Sequence, residues 1–383
     1  MSQSSHFSAA QLSGAKRIVV KIGSALLCDE DGAVRSKWLA TLAADIVGLR
    51  SGGCEVIVVS SGAVALGRQM LKLSGDLRLD EKQAASATGQ AALIQAWQKA
   101  FEVHNVQVAQ LLLTLDDTEY RNRYLNARAT MRTLLDVGAL PLVNENDTVA
   151  TAEIRYGDND RLAAHTAQVA GAELLIILSD VDGVYSADPR LNADARHLDV
   201  IGAITPDIEN CAGGPNRQGG IGSGGMASKI AAAKIASANG CATIIASGLI
   251  EHPLVAISHG ELATLITPNG NAENARRQWI GGRLKPSGKI IVDQGAAEAL
   301  LQGASLLPAG VIGVGGNFSR GDVVEIVDQK GIALGKGLVT FDASDVERIA
   351  GHRSEAIEKI LGYRRRPAII EKDDLVLREG TVS

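Results

Sequence analysis

Residues 139–160 read A-L-P-L-V-N-E-N-D-T-V-A-T-A-E-I-R-Y-G-D-N-D, an apolar run that ends in a cluster of carboxylates and side-chain amides. Short apolar, largely β-branched runs recur at residues 17–22, 55–60, 106–114, 140–144, 173–179 and 242–247. Ala-rich amphipathic stretches lie between them, at residues 36–51, 82–104, 122–137, 160–170 and 226–239. This alternation predicts an α/β fold with an open, mostly parallel sheet sandwiched by helices.

Four of the predicted strands end in residues that can bind a ligand: K-I-G-S at 21–24, S-S-G-A at 60–63, N-E-N-D at 144–147 and S-D at 179–180. Open parallel sheets bind ligands in the crevice at the carboxyl ends of their strands, so these loops are expected to face one crevice. Amides and carboxylates together suit a small zwitterionic ligand, because a carboxylate binds an ammonium group and an amide binds a carboxylate. A solvated polar loop could have the same composition.

The length of 383 residues favours two domains. Beyond residue 287 short β patterns dominate, at 289–292, 311–314, 322–327, 332–339 and 368–371, with helical patterns at 294–302 and 342–349. We therefore predict a disordered N-terminal segment at residues 1–13, a catalytic domain at 14–270 and a linker at 271–287. A small, mainly β domain is predicted at residues 288–371, followed by a tail at 372–383.

The bulk composition argues against several classes of protein. A net charge of −5 and 3% aromatic residues disfavour a general nucleic-acid-binding surface. The four cysteines are widely separated and lack zinc-site spacing, and the histidines at 6, 197, 252 and 352 have loop-like neighbours and are assigned no role. No secretory leader and no apolar run long enough for a membrane span are seen. A cytoplasmic protein is expected.

Two lysines and a glycine-rich segment suggest a phosphate site. The segment G-S-G-G-M-A-S-K at 222–229 precedes an Ala-rich helix, where backbone N–H groups and the helix N-terminus favour an anion. Lys21 lies in an apolar strand, which is costly unless it points into a polar crevice. Lys21 and Lys229 could hold the phosphates of a nucleotide, although solvated lysines remain the alternative. The G-x-G-x-x-G pattern at 220–225 lacks a preceding strand, which disfavours a dinucleotide site.

The order and spacing of these segments resemble the amino-acid kinase superfamily and, within it, the glutamate 5-kinase family. Besides the strand ends, the matching segments are A-T-A-E at 150–153, G-D-N-D at 157–160, Y-S-A-D-P-R at 185–190 and G-G-M-A-S-K at 224–229. G-N-F-S-R-G at 316–321 and R-I-A-G-H at 348–352 resemble the PUA domain that follows many of these catalytic domains. The resemblance covers nearly the whole chain, except for about a dozen residues at each end.

The resemblance implies an enzyme that uses ATP and Mg²⁺ to phosphorylate the γ-carboxylate of L-glutamate, the first step of proline synthesis. It also implies feedback inhibition by proline and a homo-oligomer, either a dimer or a tetramer. A carboxylate acceptor is already ionised at neutral pH, so no general base is needed. Mg²⁺ is expected to be held mainly by the ATP phosphates and water, and no metal-ligating residue is assigned.

By position in the matched motifs, the resemblance also implies which residues form the site. The catalytic residues are Lys21, Lys229 and Asp160, with Asp160 holding both lysines in place. The glutamate-binding positions are Ser61, Asp147 and Asn159, with Asn144 and Asp158 beside them. The ATP contacts are Lys21, Gly23, Ser24, Ser179, Asp180, Ser223, Gly224, Gly225, Met226, Ala227, Ser228 and Lys229. Serines 24 and 179 stand where relatives often have threonine, and both keep a hydroxyl group.

Two alternatives remain open from the residues. One is a related kinase that acts on aspartate, N-acetylglutamate or a nucleoside monophosphate, although an acetylated substrate has no ammonium group to pair with Asp147. The other is RNA binding by the PUA-like domain, which is disfavoured because residues 288–383 contain 12 Lys and Arg against 14 Asp and Glu. The basic run at residues 364–366 is short, and such runs are commonly solvated. Nucleic acid is therefore not an expected partner.

Overall fold

The computed structural model describes residues 3–29, 31–149, 159–211, 225–270, 286–364 and 366–378. The chain divides into two compact units, Met1–Ala272 and Glu273–Ser383. Much of the segment between the predicted domains, residues 271–285, lies outside the described residues.

The first unit is built on one eight-stranded sheet. Its strands are β1 (Arg17–Ile22), β2 (Glu55–Ser60), β3 (Val108–Leu113), β4 (Leu140–Glu145), β5 (Leu174–Ser179), β6 (Val200–Ile201), β7 (Ala242–Ser247) and β8 (Ala263–Ile266). They lie in the order β3-β4-β2-β1-β5-β7-β8-β6. Neighbours from β3 to β7 are parallel, while β8 runs antiparallel to β7 and parallel to β6. The predicted mostly parallel sheet is confirmed.

Most helices of the first unit fall into two groups, and contacts link the helices within each group. The helices are α1 (Gln3–Gly14), α2 (Ser24–Leu27), α3 (Ser36–Ser51), α4 (Ala63–Met70), α5 (Leu79–Glu102), α6 (Leu115–Glu119), α7 (Arg121–Asp136), α8 (Asn159–Ala170), α9 (Pro206–Cys211), α10 (Met226–Ala238) and α11 (Pro253–Ser258). Contacts join α1, α3, α4, α5 and α11 into one group, and α6, α7, α8 and α10 into the other. Ser36–Ser51 begins and ends where its periodicity predicts.

The alternation of side chains along β1 assigns Lys21 to one face of the sheet. Ile18, Val20 and Ile22 pack into the main apolar core, together with side chains from α3 and α5. Successive strand residues point to opposite faces, so Lys21 points away from that core. Helix α8 contacts β1, β2, β4 and β5 and belongs to the other helix group. The ammonium group of Lys21 therefore lies on the α8 side.

The N-terminal segment corrects one expectation. Residues 1–13 are predicted to be disordered from their Ser- and Gln-rich composition, whereas α1 spans Gln3–Gly14. Leu12 is buried in the main core, and α1 lies against α11 and β8. The burial of Leu12 and the packing of α1 against α11 and β8 therefore stabilise a helix in spite of the polar composition of this segment.

The second unit is a five-stranded sheet with short helices. Its strands β9 (Gly288–Val292), β10 (Val311–Gly316), β11 (Val323–Val327), β12 (Ala333–Leu338) and β13 (Leu375–Leu377) lie in the order β10-β9-β11-β12-β13. The helices are α12 (Gln294–Leu301), α13 (Ala343–Ile349) and α14 (Ile357–Leu361). Side chains such as Phe318, Phe341 and Ile369 form its own apolar core. The predicted small, β-rich second domain is confirmed.

The end of this unit also differs from the prediction. Residues 368–371 are predicted as a strand, but Ile370 makes only an isolated bridge with Leu306. The last described strand is instead β13, which lies within residues 372–383, the segment predicted to be a tail. It pairs antiparallel with β12. Backbone pairing with β12 gives the short apolar sequence L-V-L at 375–377 a place in the sheet, which the local sequence alone does not reveal.

Candidate active site

Lys21, Asp160 and Lys229 form a buried ionic cluster on the α8 side of the sheet. Lys21 comes from β1, Asp160 from the first turn of α8, and Lys229 from the first turn of α10. Lys21 Nζ lies 2.5 Å from Asp160 Oδ1, and Lys229 Nζ lies 3.3 Å from Asp160 Oδ2. Ser228 Oγ donates a hydrogen bond to the same Oδ2 at 3.0 Å. The fold thus brings together the three residues predicted to be catalytic.

The electrostatics of the ionic cluster follow from its burial. Burial alone would raise the pKa of Asp160, but the two ammonium groups outweigh it and hold that pKa below its usual value. The pKa of Lys229 is lowered, mainly by burial and further by Lys21, while Asp160 opposes the shift. Two ammonium groups share one carboxylate, so the cluster favours an additional anion.

Asn159 connects the ionic cluster to a neighbouring group of amides and hydroxyls. Its Nδ2 donates to Ser61 Oγ at 2.9 Å and to Asn144 Oδ1 at 3.3 Å. Its Oδ1 is buried and accepts no hydrogen bond from the described residues. We call Asn159, Ser61 and Asn144 the amide pocket. Because Asn159 and Asp160 are consecutive, the first turn of α8 supplies both the amide pocket and the carboxylate of the ionic cluster.

Asp147 lies just beyond β4 and is held by a side chain from α5. The Ser86 hydroxyl donates a short hydrogen bond to Asp147 Oδ2, and both residues are buried. Burial raises the pKa of the Asp147 carboxyl, while the hydrogen bond from Ser86 acts in the opposite direction. A buried carboxylate at this position can bind a cationic group such as an ammonium.

Gly23, Ser179 and Asp180 stand at the ends of the two central strands. Gly23 N donates to Leu178 O at 3.3 Å and so joins the ends of β1 and β5. A Cβ added to Gly23 would lie 3.9 Å from Lys21 Nζ, so Gly23 lies beside the ionic cluster. Ser179 Oγ donates to Asp180 Oδ1 at 2.9 Å, and the Asp180 charge acts to raise the pKa of Lys229. These strand ends are therefore close enough to the cluster to act on the same ligand.

Four of the remaining predicted nucleotide contacts lie at the start of α10. Gly225 precedes the helix, and Met226, Ala227 and Ser228 form its first turn. Ser24 begins α2, directly after Gly23. The predicted residues Asp158, Ser223 and Gly224 lie outside the described part of the chain.

Two residues of α5 near the pocket were not predicted from the sequence. Ser86 holds Asp147, and Gln90 Nε2 donates to the backbone carbonyl of Glu145 at 3.3 Å. Both lie in the Ala-rich run K-Q-A-A-S-A-T-G-Q at 82–90, where isolated polar residues look like a solvated helix face. Their i, i+4 spacing places them on one side of the helix, but no sequence signal shows that this side faces a strand end.

His197 takes part in an arrangement that superficially suggests nucleophilic catalysis. His197 Nδ1 lies 2.7 Å from Asp199 Oδ1, and His197 Nε2 lies 3.4 Å from Thr264 Oγ1. The threonine hydroxyl, however, donates to Leu198 O at 2.7 Å and accepts from Val184 N at 2.8 Å. These bonds occupy the hydroxyl, so the group braces the segment after β5 and offers no nucleophile.

The described residues lack both a cluster of metal-binding side chains and a membrane-spanning helix. They contain no group of three or more His, Cys, Asp or Glu side chains that could hold a metal ion. None of their helices has the length and apolar character needed to cross a membrane.

Comparison with known proteins places these observations in a family. Residues 16–247 match the model of the amino acid kinase family, and residues 288–361 match the PUA domain. A glutamate 5-kinase of Caulobacter vibrioides is 56% identical over 365 residues, covering 95% of this chain and 97% of the relative. One from Paramagnetospirillum magneticum is 54% identical over 367 residues, covering 96% and 99%.

A solved UMP kinase of Bacillus anthracis is more distant. It is 16% identical, with a TM-score of 0.46, over 67% of this chain and 97% of that one. No substrate is inferred from this likeness. The family matches, in contrast, confirm the resemblance predicted from the sequence motifs. The chain belongs to the amino acid kinase family and carries a PUA domain after its kinase domain.

Proposed function

We propose that this protein transfers the γ-phosphoryl group of ATP to the γ-carboxylate of L-glutamate, giving L-glutamyl 5-phosphate and ADP. The observation that carries the proposal is the first turn of α8, where Asn159 belongs to the amide pocket and Asp160 pairs with both lysines. The full-length similarity to proteins named glutamate 5-kinase supports the choice of acceptor. This reaction would be the first step of proline synthesis, as the resemblance implies.

The chemistry asked of the ionic cluster is charge neutralisation and alignment. A carboxylate oxygen of the acceptor forms a bond to the γ-phosphorus, and the bond from that phosphorus to the oxygen of ADP breaks. Lys21 and Lys229 are placed to offset the negative charge that builds up on the transferred group. Asp160 fixes both ammonium groups before the substrates arrive, so little reorganisation is needed during the reaction.

The described residues fit a nucleotide with its own metal ion. The ionic cluster has two ammonium groups for one carboxylate, which suits phosphate oxygens. When bound, Mg²⁺ would supply charge neutralisation to the phosphate oxygens of the nucleotide. We propose that the ion is held mainly by the nucleotide phosphates and water.

The residues around the amide pocket suit an amino-acid acceptor. Asp147 is a buried carboxylate that can pair with the ammonium group of glutamate. The amides and hydroxyl of Asn144, Asn159 and Ser61 can bind a carboxylate, and Asn159 Oδ1 remains available for a donor. Asp158 is proposed to lie beside them. A phosphate-bearing acceptor would instead need cationic side chains at these positions.

The direct test of the proposal is an assay of several acceptors. ADP release and hydroxamate trapping of the acyl phosphate would be measured with L-glutamate, L-aspartate, N-acetyl-L-glutamate and UMP. We expect trapping with L-glutamate at a kcat/KM at least about 100-fold above that of any other acceptor. A preference for N-acetyl-L-glutamate would remove the role of Asp147 as an ammonium ligand. A preference for UMP would overturn the carboxylate-acceptor assignment altogether.

The resemblance also supports proposals on the regulation, the assembly and the location of the protein. Proline resembles a cyclised form of the substrate, so we propose that it inhibits by occupying the glutamate pocket. Inhibition by proline should then be competitive with L-glutamate; inhibition that saturating glutamate does not relieve would contradict it. A homo-oligomer, a dimer or tetramer, follows from the resemblance and is testable by light scattering. The free cysteines 28, 54, 211 and 241 are in keeping with a cytoplasmic location.

A further inference from the structure

Helix α5 makes three side-chain contacts with the ends of two strands around the proposed substrate pocket. The contacting residues Ser86, Gln90 and Trp97 are spaced i, i+4 and i+11, which places them along one side of the helix. Ser86 contacts Asp147, Gln90 contacts the carbonyl of Glu145, and Trp97 Nε1 donates to Ser60 Oγ at 3.0 Å. One rigid element therefore touches the ends of both β2 and β4.

The position of α5 is itself tightly fixed. A Cβ added to Gly89 would lie 1.9 Å from the carbonyl oxygen of Ala63, and one added to Gly67 would lie 1.7 Å from that of Ala85. Helices α4 and α5 are thus in backbone contact, an approach that only glycine permits. Because α4 begins directly after Ser61 and Gly62, this contact ties α5 to the same strand end that supplies a hydroxyl to the amide pocket.

Ser86 is the residue of this set that reaches a charged group. It is 1% exposed, and its hydroxyl donates to Asp147 Oδ2. A hydroxyl that donates to a buried carboxylate stabilises the ionised form and fixes its orientation. Of the other two contacts, Gln90 meets a backbone carbonyl and Trp97 meets a neutral hydroxyl. Ser86 therefore has an electrostatic role that packing alone does not supply.

We propose that α5 is the positioning element of the substrate pocket, and that Ser86 orients the Asp147 carboxylate toward the ammonium group of the amino-acid substrate. This inference rests on the proposed function, in which Asp147 binds that ammonium group. Ser86 acts through Asp147 and touches neither substrate, so it is a positioning residue. The expected consequence is an effect on glutamate binding that leaves phosphoryl transfer unchanged.

The test uses the full-length enzyme and steady-state ADP release with L-glutamate and ATP as varied substrates. Ser86→Ala removes only the hydroxyl oxygen and should raise the glutamate KM about tenfold, with kcat and the ATP KM within about twofold of wild type. Thr88→Ala is the matched control, because the Thr88 hydroxyl bonds to Ala84 O within the same helix. This control should leave all three constants unchanged.

A double-mutant cycle with Asp147→Ala separates positioning from general packing. If Ser86 acts through Asp147, then Ser86→Ala should change the glutamate KM by less than about twofold in the Asp147→Ala background. Additive effects of the two substitutions, or a wild-type KM in the single variant, would overturn the inference while leaving the function intact. A wild-type enzyme that releases no ADP with L-glutamate would instead remove the proposed function, and this inference with it.

Discussion

The ionic cluster and the amide pocket are adjacent in the fold but differ in chemistry. The cluster of Lys21, Asp160 and Lys229 is buried and held by charge–charge contacts of 2.5 and 3.3 Å. The amide pocket is held by neutral hydrogen bonds, such as that of 2.9 Å from Asn159 to Ser61. Asn159 and Asp160 place the two regions one residue apart.

The difference indicates how the work is divided. Charges that contact the transferred phosphoryl group act most strongly where charge builds up, in the transition state, and should affect kcat. Neutral donors and acceptors around the amino-acid substrate hold it equally in the ground and transition states, and should affect KM. Asp147 is charged but is proposed to bind the ammonium group at the unreactive end of the substrate, so it should behave like the amide pocket.

The largest effect is expected on the cluster side. Lys229→Ala should lower kcat by about 1,000-fold and change the glutamate KM by less than about threefold, because the lost ammonium group neutralises charge in the transition state. The matched control is Lys234→Ala, on the same helix, since Lys234 is exposed and pairs with Glu209. Steady-state ADP release checks both. A near-normal kcat in Lys229→Ala would contradict the role of the cluster.

Asp160→Asn should reveal the stability cost of removing the carboxylate that contacts both Lys21 and Lys229. Removing one partner of a buried ion pair typically costs about 3–5 kcal/mol, and here two ammonium groups lose their counter-charge. Urea unfolding at pH 7 measures the difference. The exposed pair provides the control, because Glu209→Gln should cost less than about 0.5 kcal/mol. Equal costs for the two substitutions would show that the cluster is not electrostatically coupled.

The pH dependence of this difference follows from the lowered pKa of Asp160. A carboxyl whose pKa is lower in the folded than in the unfolded protein stabilises the fold fully above its unfolded pKa. That contribution is lost as the pH falls through the folded value. The stability gap between wild type and Asp160→Asn should therefore be largest near neutral pH and narrow below about pH 4. A gap that widens on acidification would contradict the assigned direction.

Asp147→Ala should act on binding. We expect the glutamate KM to rise at least about 30-fold with kcat within about threefold, since the substrate ammonium loses a buried charged partner. Asp147→Asn is the matched variant, because an amide oxygen can still accept from Ser86 while the charge is gone. It should fall between wild type and Asp147→Ala. A change confined to the ATP KM would show that the substrate pocket is placed wrongly.

The smallest effect is expected from Ser61→Ala, which removes one neutral acceptor from Asn159. The loss of a single uncharged hydrogen bond corresponds to about a three- to tenfold rise in glutamate KM. Ser51→Ala, whose hydroxyl bonds to Val47 O on the exposed side of α3, should have no effect. A larger effect of Ser61→Ala on kcat than on the glutamate KM would contradict the division of roles between the ionic cluster and the amide pocket.

The sequence predicts the sheet and the long helices because burial repeats along them. The apolar strands 17–22 and 55–60 and the amphipathic stretch 36–51 are found where predicted, since periodic burial leaves a direct trace in the residue order. Helix α4 has only eight residues and is not among the predicted helices. Its position depends on the close approach of Gly67 to the backbone of α5 and of Gly89 to the backbone of α4, a long-range feature that a local pattern cannot show.

The candidate site was predictable only in part. The strand-end motifs name Lys21 and Asp147, because polar residues after apolar strands mark the crevice of a parallel sheet. The glycine-rich segment before α10 names Lys229. The sharing of Asp160 between two lysines depends on the meeting of β1, α8 and α10 in space. Ser86 carries no motif, since a serine within an Ala-rich helix looks the same whether it faces solvent or Asp147.

The division of roles between the two regions assigns kcat to the charges of the ionic cluster and the glutamate KM to the residues of the substrate pocket. It is tested most directly by measuring kcat and glutamate KM for Lys229→Ala and Asp147→Ala side by side, by ADP release at saturating ATP. We expect opposite patterns: a kcat about 1,000-fold lower with little change in KM for Lys229→Ala, and a KM at least about 30-fold higher with little change in kcat for Asp147→Ala. The same pattern in both variants would contradict it.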